Sequence, residues 1–253
     1  MLNKIKSELM EIKVLLRNIP SLMMTFFIVS VIAMNLLANK SITLPWNFLA
    51  LDCGIIISWL SFLSMDVITK HFGPKAATQT SIVATLLNLG MCLIFYIASN
   101  IPGIWSASYV PGSESIINQS LDTTFSGVWY VLLGSTIAFL VSSLINNYSN
   151  AFVGKALKDK NSFKTFAIRT YISTALGQFC DNLLFALIVS HQFFGWSLLQ
   201  CVTCAITGMV VELLCEIIFS YPGFKILNGW KKDNVGKEYF EYMKQKNTLK
   251  SHN

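Results

Sequence analysis

Apolar runs of bilayer-spanning length alternate with short polar gaps along this chain. Six runs fall at about 21–39, 49–69, 76–98, 126–148, 165–190 and 197–220, each near the ~20 residues that a helix needs to cross a hydrocarbon core. Pro20, Pro45, Pro74, Pro102, Pro111 and Pro222 are expected at or outside the helix ends, since proline lacks a backbone donor. Ahead of the first run, Leu2, Ile5, Leu9, Ile12, Leu16 and Ile19 recur at three- and four-residue steps. That spacing predicts an amphipathic helix lying on the membrane surface, with Lys4, Glu8, Glu11, Lys13 and Arg17 on its other side. Its charge, and the full-length apolar run after it, distinguish it from a cleavable leader.

Composition sharpens the pattern. Apolar residues make up 53% of the 253 positions and charged residues 13%, with mean hydropathy +0.55, whereas soluble domains carry about 25% charged residues. The expected architecture is therefore an all-α membrane protein of six transmembrane helices. It divides into an interfacial helix at 1–19, a transmembrane domain at 20–222 and a basic tail at 223–253.

The net charge of +6 points to topology, not to nucleic acid. Eighteen of the nineteen Lys and Arg residues fall on one side if both termini are cytoplasmic; Lys40 is the exception. The longest gap, 99–125, is then external and carries Trp105 and Tyr109; lid and linker are both open readings for it. Cys201 and Cys204 have metal-like spacing, but no second pair or nearby histidine completes a site, so the six cysteines are expected as small apolar packers. The three histidines, His71, His191 and His252, fall at ends or in gaps.

Polar residues inside the runs carry the functional signal, because a carboxylate at mid-bilayer costs roughly 2.5–3.5 kcal/mol on insertion scales. The stretch from Arg169 to Ser190 holds Gln178, Asp181 and Asn182 near its middle. The sixth run carries Gly208, Glu212 and Glu216 on one stripe, and two acids one turn apart repel. Cations lie only at the ends of the last two runs, so the missing partner of these acids is a proton, a sodium ion or a cationic substrate. Snorkelling into water is the competing reading for Glu216. Asp66 reads either as a site residue or as a helix-end ion pair with Lys70; Asp52, near the opposite face, is less informative. Thr78, Ser81, Thr85, Asn88 and Cys92 share a face in the third run; packing and a substrate contact are both open for Asn88. Ser135, Ser142 and Ser143 read as packing residues. With three helices in each half, a duplication would have inverted topology, with Asp66 and Asp181 in equivalent helices.

Three stretches carry a resemblance: SFLSMDVITKHFGPKAA, RTYISTALGQFCDNLLFALIVS and IIFSYPGFKILNGWKK. Together they resemble the queuosine precursor transporter family, also called the vitamin uptake transporter family. Asp66 and Gly73 match its first motif, and Gln178 and Asp181 its second. The chain departs from the family's pattern at Lys70, at Thr78 and Gln79, and at Glu212, where the sixth helix of relatives holds a lysine.

The resemblance implies a bacterial inner-membrane importer of deazaguanine bases such as queuine and its precursors. One carboxylate can accept two adjacent N–H donors of such a base. Asp181 is the first expected acceptor, with Gln178, Asn182, Asn88, Glu212 and Asp66 as further polar contacts. Trp59 and Phe62 are candidates for a stacking face, and Glu212 and Glu216 for proton or sodium coupling. No cofactor, metal or nucleic acid is expected. A binding subunit of a multicomponent importer, or a transporter of another small heterocycle, are the alternatives. An intramembrane aspartyl protease is disfavoured because Asp66 and Asp181 lack the flanking motifs and are offset in depth.

Overall fold

The computed structural model describes residues 2–42, 44–49, 51–105, 112–126, 129–157 and 162–251. Tyr109 and Pro111 of the long gap, Lys158, Lys160 and His252 lie outside these residues. Ten α-helices occur among the described residues: α1 (Leu2–Asn18), α2 (Ser21–Leu37), α3 (Ile55–Phe72), α4 (Pro74–Asn100), α5 (Glu114–Ser126), α6 (Trp129–Ala156), α7 (Phe163–Phe185), α8 (His191–Phe193), α9 (Leu198–Lys232) and α10 (Lys237–Ser251). Helices dominate because lipid offers the backbone no hydrogen bonds, so each spanning segment must satisfy its own.

Five helical stretches are long and apolar enough to cross a membrane, and six if α1 and α2 count as one broken span. The chain bends by 110° between α1 and α2. Outward faces are apolar throughout: Leu22, Ile56, Leu86, Leu93, Phe152, Leu214 and Ile218 are all exposed, as lipid-facing residues should be.

The spans differ from expectation at three places. The second begins at Ile55, not near residue 49, because the preceding residues turn. Leu51–Asp52 (β2) pairs antiparallel with Ser41–Ile42 (β1), and the Asp52 carboxylate accepts the Gly54 amide at 2.7 Å, an Asx-type turn that starts the helix. In the fifth, α7 gives way to a π-helical turn at Ala186–Ser190; such a turn is wider than its α-helical neighbours and redirects the chain beyond it. Pro222, expected outside the sixth helix, is a correction: it sits within α9, which continues to Lys232. The spans tolerate such a residue where neighbouring helices pack closely, and next to it Gly223 lets α9 approach Leu63, 3.0 Å from where a Cβ would stand.

Gly73 separates α3 from α4. Its φ of 94° is a left-handed conformation open to glycine, and Pro74 begins the next helix where its missing N–H is not needed. In the long gap, α5 folds back on the preceding segment: the Trp105 indole donates to Asp122 at 2.7 Å and stacks on Phe125.

The bundle has two ends. The β1–β2 hairpin marks one. At the other, α1 and α10 pack together over the α3–α4 turn. Here Val14, Leu15, Phe72, Ala76, Leu227, Trp230 and Tyr239 form one buried cluster. Glu11, wholly buried, meets Lys75 at 2.7 Å and Lys246 at 2.5 Å. Burial alone would raise the Glu11 carboxyl, but the two ammonium groups outweigh it and hold the acid below its usual range.

Candidate functional site

The polar residues of α3, α6, α7 and α9 converge on the bundle axis because each helix gathers them on one stripe. On α6 the stripe is Ser135, Ser142, Asn146 and Asn150; on α7 it is Thr170, Ser173, Thr174, Gln178, Asp181 and Asn182. On α9 it is Gly208, Glu212, Glu216 and Ser220. α7 packs most extensively on α6 and α9, with α3 against α9, so the stripes face one another.

Toward the hairpin end they enclose a cavity of about 30 Å³ lined by Asn35, Asp52, Ser58, Ser135, Asp181, Asn182, Phe185 and Glu212. Three carboxylates from three elements meet here. Glu212 accepts from the Ser58 hydroxyl and from Asn182 Nδ2 at 3.3 Å. Asp181 accepts from the Ser142 hydroxyl at 2.8 Å. Asp52, Asp181 and Glu212 are close enough to repel one another. Ser135 donates to Asn35 beside them. The cavity has room for a water or two, so a heterocyclic base enters only as the surrounding helices part. A larger groove of about 690 Å³ lies at the opposite end, between His71, Trp230 and Phe240, but its carboxylate, Glu241, is exposed.

A second cluster lies toward the α1–α10 end. Asp66 accepts from Asn146 Nδ2 at 2.9 Å and from Ser173 at 3.1 Å, and pairs with Lys70 at 3.5 Å. Lys70 also donates to the Thr170 hydroxyl and lies 3.6 Å over the Phe166 ring. Arg169 is held on Asn150 by two nitrogens, with Nη2 2.9 Å from Oδ1. Glu216 is wholly buried beside them, so its side chain does not reach water. Between the two clusters, the side-chain atoms of Gln178 and the Thr174 hydroxyl are buried with no hydrogen-bond partner among the described residues.

Of the residues singled out in the sequence, Asp181, Asn182 and Glu212 share the cavity, and Gln178 stands one turn before Asn182, whose Nδ2 donates to the Gln178 carbonyl at 3.0 Å. The others are placed elsewhere. Asp66 and Glu216 belong to the second cluster. Asn88 lines a separate small space with Met91, Cys92 and Phe95. Trp59 stacks on Phe219 with ring centroids 4.2 Å apart, and Phe62 is buried with Phe27, Met65 and Phe139. Sequence reasoning passed over Asp52, Ser58, Asn146 and Asn150, and took Ser142 for a packing residue. The seven- and four-residue steps from Ser135 through Ser142 and Asn146 to Asn150, two turns and then one, are the signal that would have found the α6 stripe.

The family model described as "Putative vitamin uptake transporter" matches residues 52–225, a span from Asp52 to Lys225 that holds both clusters. The chain belongs to the vitamin uptake transporter family. No curated protein and no solved structure matches it. Membership and the apolar helices together make this a multi-pass membrane protein whose class of activity is uptake of a vitamin-type small molecule. The family is one of transporters, and the membrane-helical architecture agrees with that class of activity.

Proposed function

We propose that the protein imports a deazaguanine base, queuine or one of its biosynthetic precursors, by secondary active transport across a bacterial inner membrane. The observation that carries this reading is the meeting of Asp181 from α7 and Glu212 from α9 in one cavity, with Asn182 between them. A carboxylate accepts two adjacent N–H donors at once, and such a base presents that pair. Asn182 and Gln178 supply the amide groups for its remaining polar atoms. Asp181 reads the base, and Glu212, a second acid in the same cavity, favours a precursor bearing an extra ammonium. Positive residues concentrated at one end support a cytoplasmic location for both termini, which makes the hairpin end the external one. Substrate then enters from the hairpin side and leaves toward α1 and α10.

The test is uptake of radiolabelled base by cells that express this chain and lack their own uptake system. Loss of a charged hydrogen-bond acceptor costs about 1.5–3 kcal/mol, so Asp181→Asn is expected to lower uptake by roughly 10- to 100-fold at unchanged membrane abundance. Undiminished uptake by the variant removes Asp181 from substrate recognition.

A further inference from the structure

Within the bundle, three carboxylates are almost wholly shielded: Asp66 (0% exposed), Glu212 (1%) and Glu216 (0%). One ammonium accompanies them, Lys70, with its side chain 1% exposed. Even with the half-buried Arg169 counted beside Lys70, three negative charges against two positive leave one uncompensated if all ionise, and a buried unpaired charge is among the most costly groups a fold can hold. Asp66 is satisfied by Lys70, Asn146 and Ser173, and Glu212 by Ser58 and Asn182. Glu216 is different. Neither of its oxygens has a hydrogen-bond partner among the described residues, yet Lys70, Asp66 and Glu212 all act on it electrostatically.

We infer that Glu216 is the proton-carrying site that couples import to a proton gradient, with Lys70 as the tethered cation that takes the proton's place when it leaves. The inference rests on the import reading above and names its driving force. The step balances once the helices part toward α1 and α10 and admit water to Glu216: its O–H bond breaks, the proton passes to that water, and the ammonium of Lys70, shared with Asp66, faces the carboxylate left behind. Lys70 is the cation whose charge acts on Glu216, and it is held in the same cluster by Asp66 and Thr170. Glu212 lies one turn along the same helix. A base bound at Glu212 therefore alters the charge next to Glu216, which links substrate occupancy to proton occupancy.

A proton fits better than a metal ion. Lys70, and Arg169 behind it, repel a second cation. The groups that face Glu216 are Asp66 and Lys70 from α3 and Glu212 from α9 itself. On α7, Arg169 is turned to Asn150 and Tyr171 to Ser220, 3.1 Å away.

The test uses the full chain in proteoliposomes. Under a gradient of about one pH unit, one coupled proton accumulates a neutral base about tenfold. The ratio of gradient-driven accumulation to base-for-base exchange is expected to collapse toward one in Glu216→Gln, and in Lys70→Gln, which keeps Glu216 but removes the cation. A ratio unchanged in both variants, or accumulation by wild type that tracks a sodium gradient instead, overturns the proposal. Infrared spectroscopy of the substrate-free protein gives an independent reading: a carboxylic C=O band that titrates with pH in wild type and is missing in Glu216→Gln supports it, and identical spectra overturn it. If wild type moves no deazaguanine in either mode, the substrate assignment fails, and the infrared titration alone decides the proton site.

Discussion

Gly208 of α9 stands so close to Asn182 of α7 that a Cβ added there would lie 2.6 Å from Asn182 Nδ2. The same amide holds Glu212 at 3.3 Å, so the close approach of α9 at Gly208 to this side chain positions a cavity carboxylate. Gly208→Ala is expected to push Asn182 off Glu212 and lower uptake about tenfold, the scale of a lost hydrogen bond to a charged group. Because a flexible side chain yields first, thermal stability in detergent should fall by only about 1 kcal/mol. Normal uptake by this variant would show that the Asn182–Glu212 contact is dispensable.

Gly177 tells the opposite story. A Cβ there would meet the Phe62 ring at 2.9 Å and Asn146 Cβ at 3.0 Å, atoms that are themselves fixed in the packed interior. Gly177→Ala should destabilise the bundle by about 1–3 kcal/mol, seen as a drop in melting temperature. Gly90, with nothing within 4 Å of its added Cβ, is the control; Gly90→Ala should leave stability unchanged or raise it by about 0.5–1 kcal/mol.

Selectivity provides a third prediction. If Glu212 favours an ammonium-bearing base, Glu212→Gln should weaken uptake of that base about tenfold more than uptake of a neutral one, the worth of a charge-assisted contact. Competition between the two labelled bases measures this directly. Equal losses for both would rule out a charge-reading role.

The α1–α10 clasp has a definite pH dependence. The Glu11 carboxyl is held below its unfolded value of about 4.5 by Lys246 and Lys75, against the opposing effect of burial. A lowered folded-state value means that the clasp stabilises the fold above pH 4.5 and loses that contribution as pH drops through the folded value. Spin labels on α1 and α10 should therefore report a fixed separation at pH 7 and a broadened one once the pH has fallen well below 4.5. Glu11→Gln should remove the difference between the two conditions.

Much of this molecule was legible in the chain because lipid imposes simple rules. Apolar run length located the spanning helices, and the steps from Leu2 to Ile19 predicted α1, since both patterns register in one helix at a time. Asp181, Asn182 and Glu212 stood out because a polar group in an apolar run has no local excuse. Asp52 was passed over for the converse reason: beside a turn it looks ordinary, and its place in the cavity depends on how β2 is held by β1 and packed against α9. Trp59 and Phe62 were candidates for stacking because rings suit a base. Which way a ring points, however, is decided by helix rotation, and here one faces Phe219 and the other Phe27 and Phe139. Pro222 misled because the rule that proline ends a helix holds in water and relaxes among packed spans.

Glu212 and Glu216 are separated by four residues of continuous helix, a rise of about 6 Å. One carboxylate belongs to the cavity beneath the hairpin, the other to the cluster beside Lys70. On the proposed import route, a proton or ligand group handed between these two carboxylates travels little more than one helical turn. Gly208, whose missing Cβ leaves room for Asn182, keeps α9 close enough to α7 for so short a step.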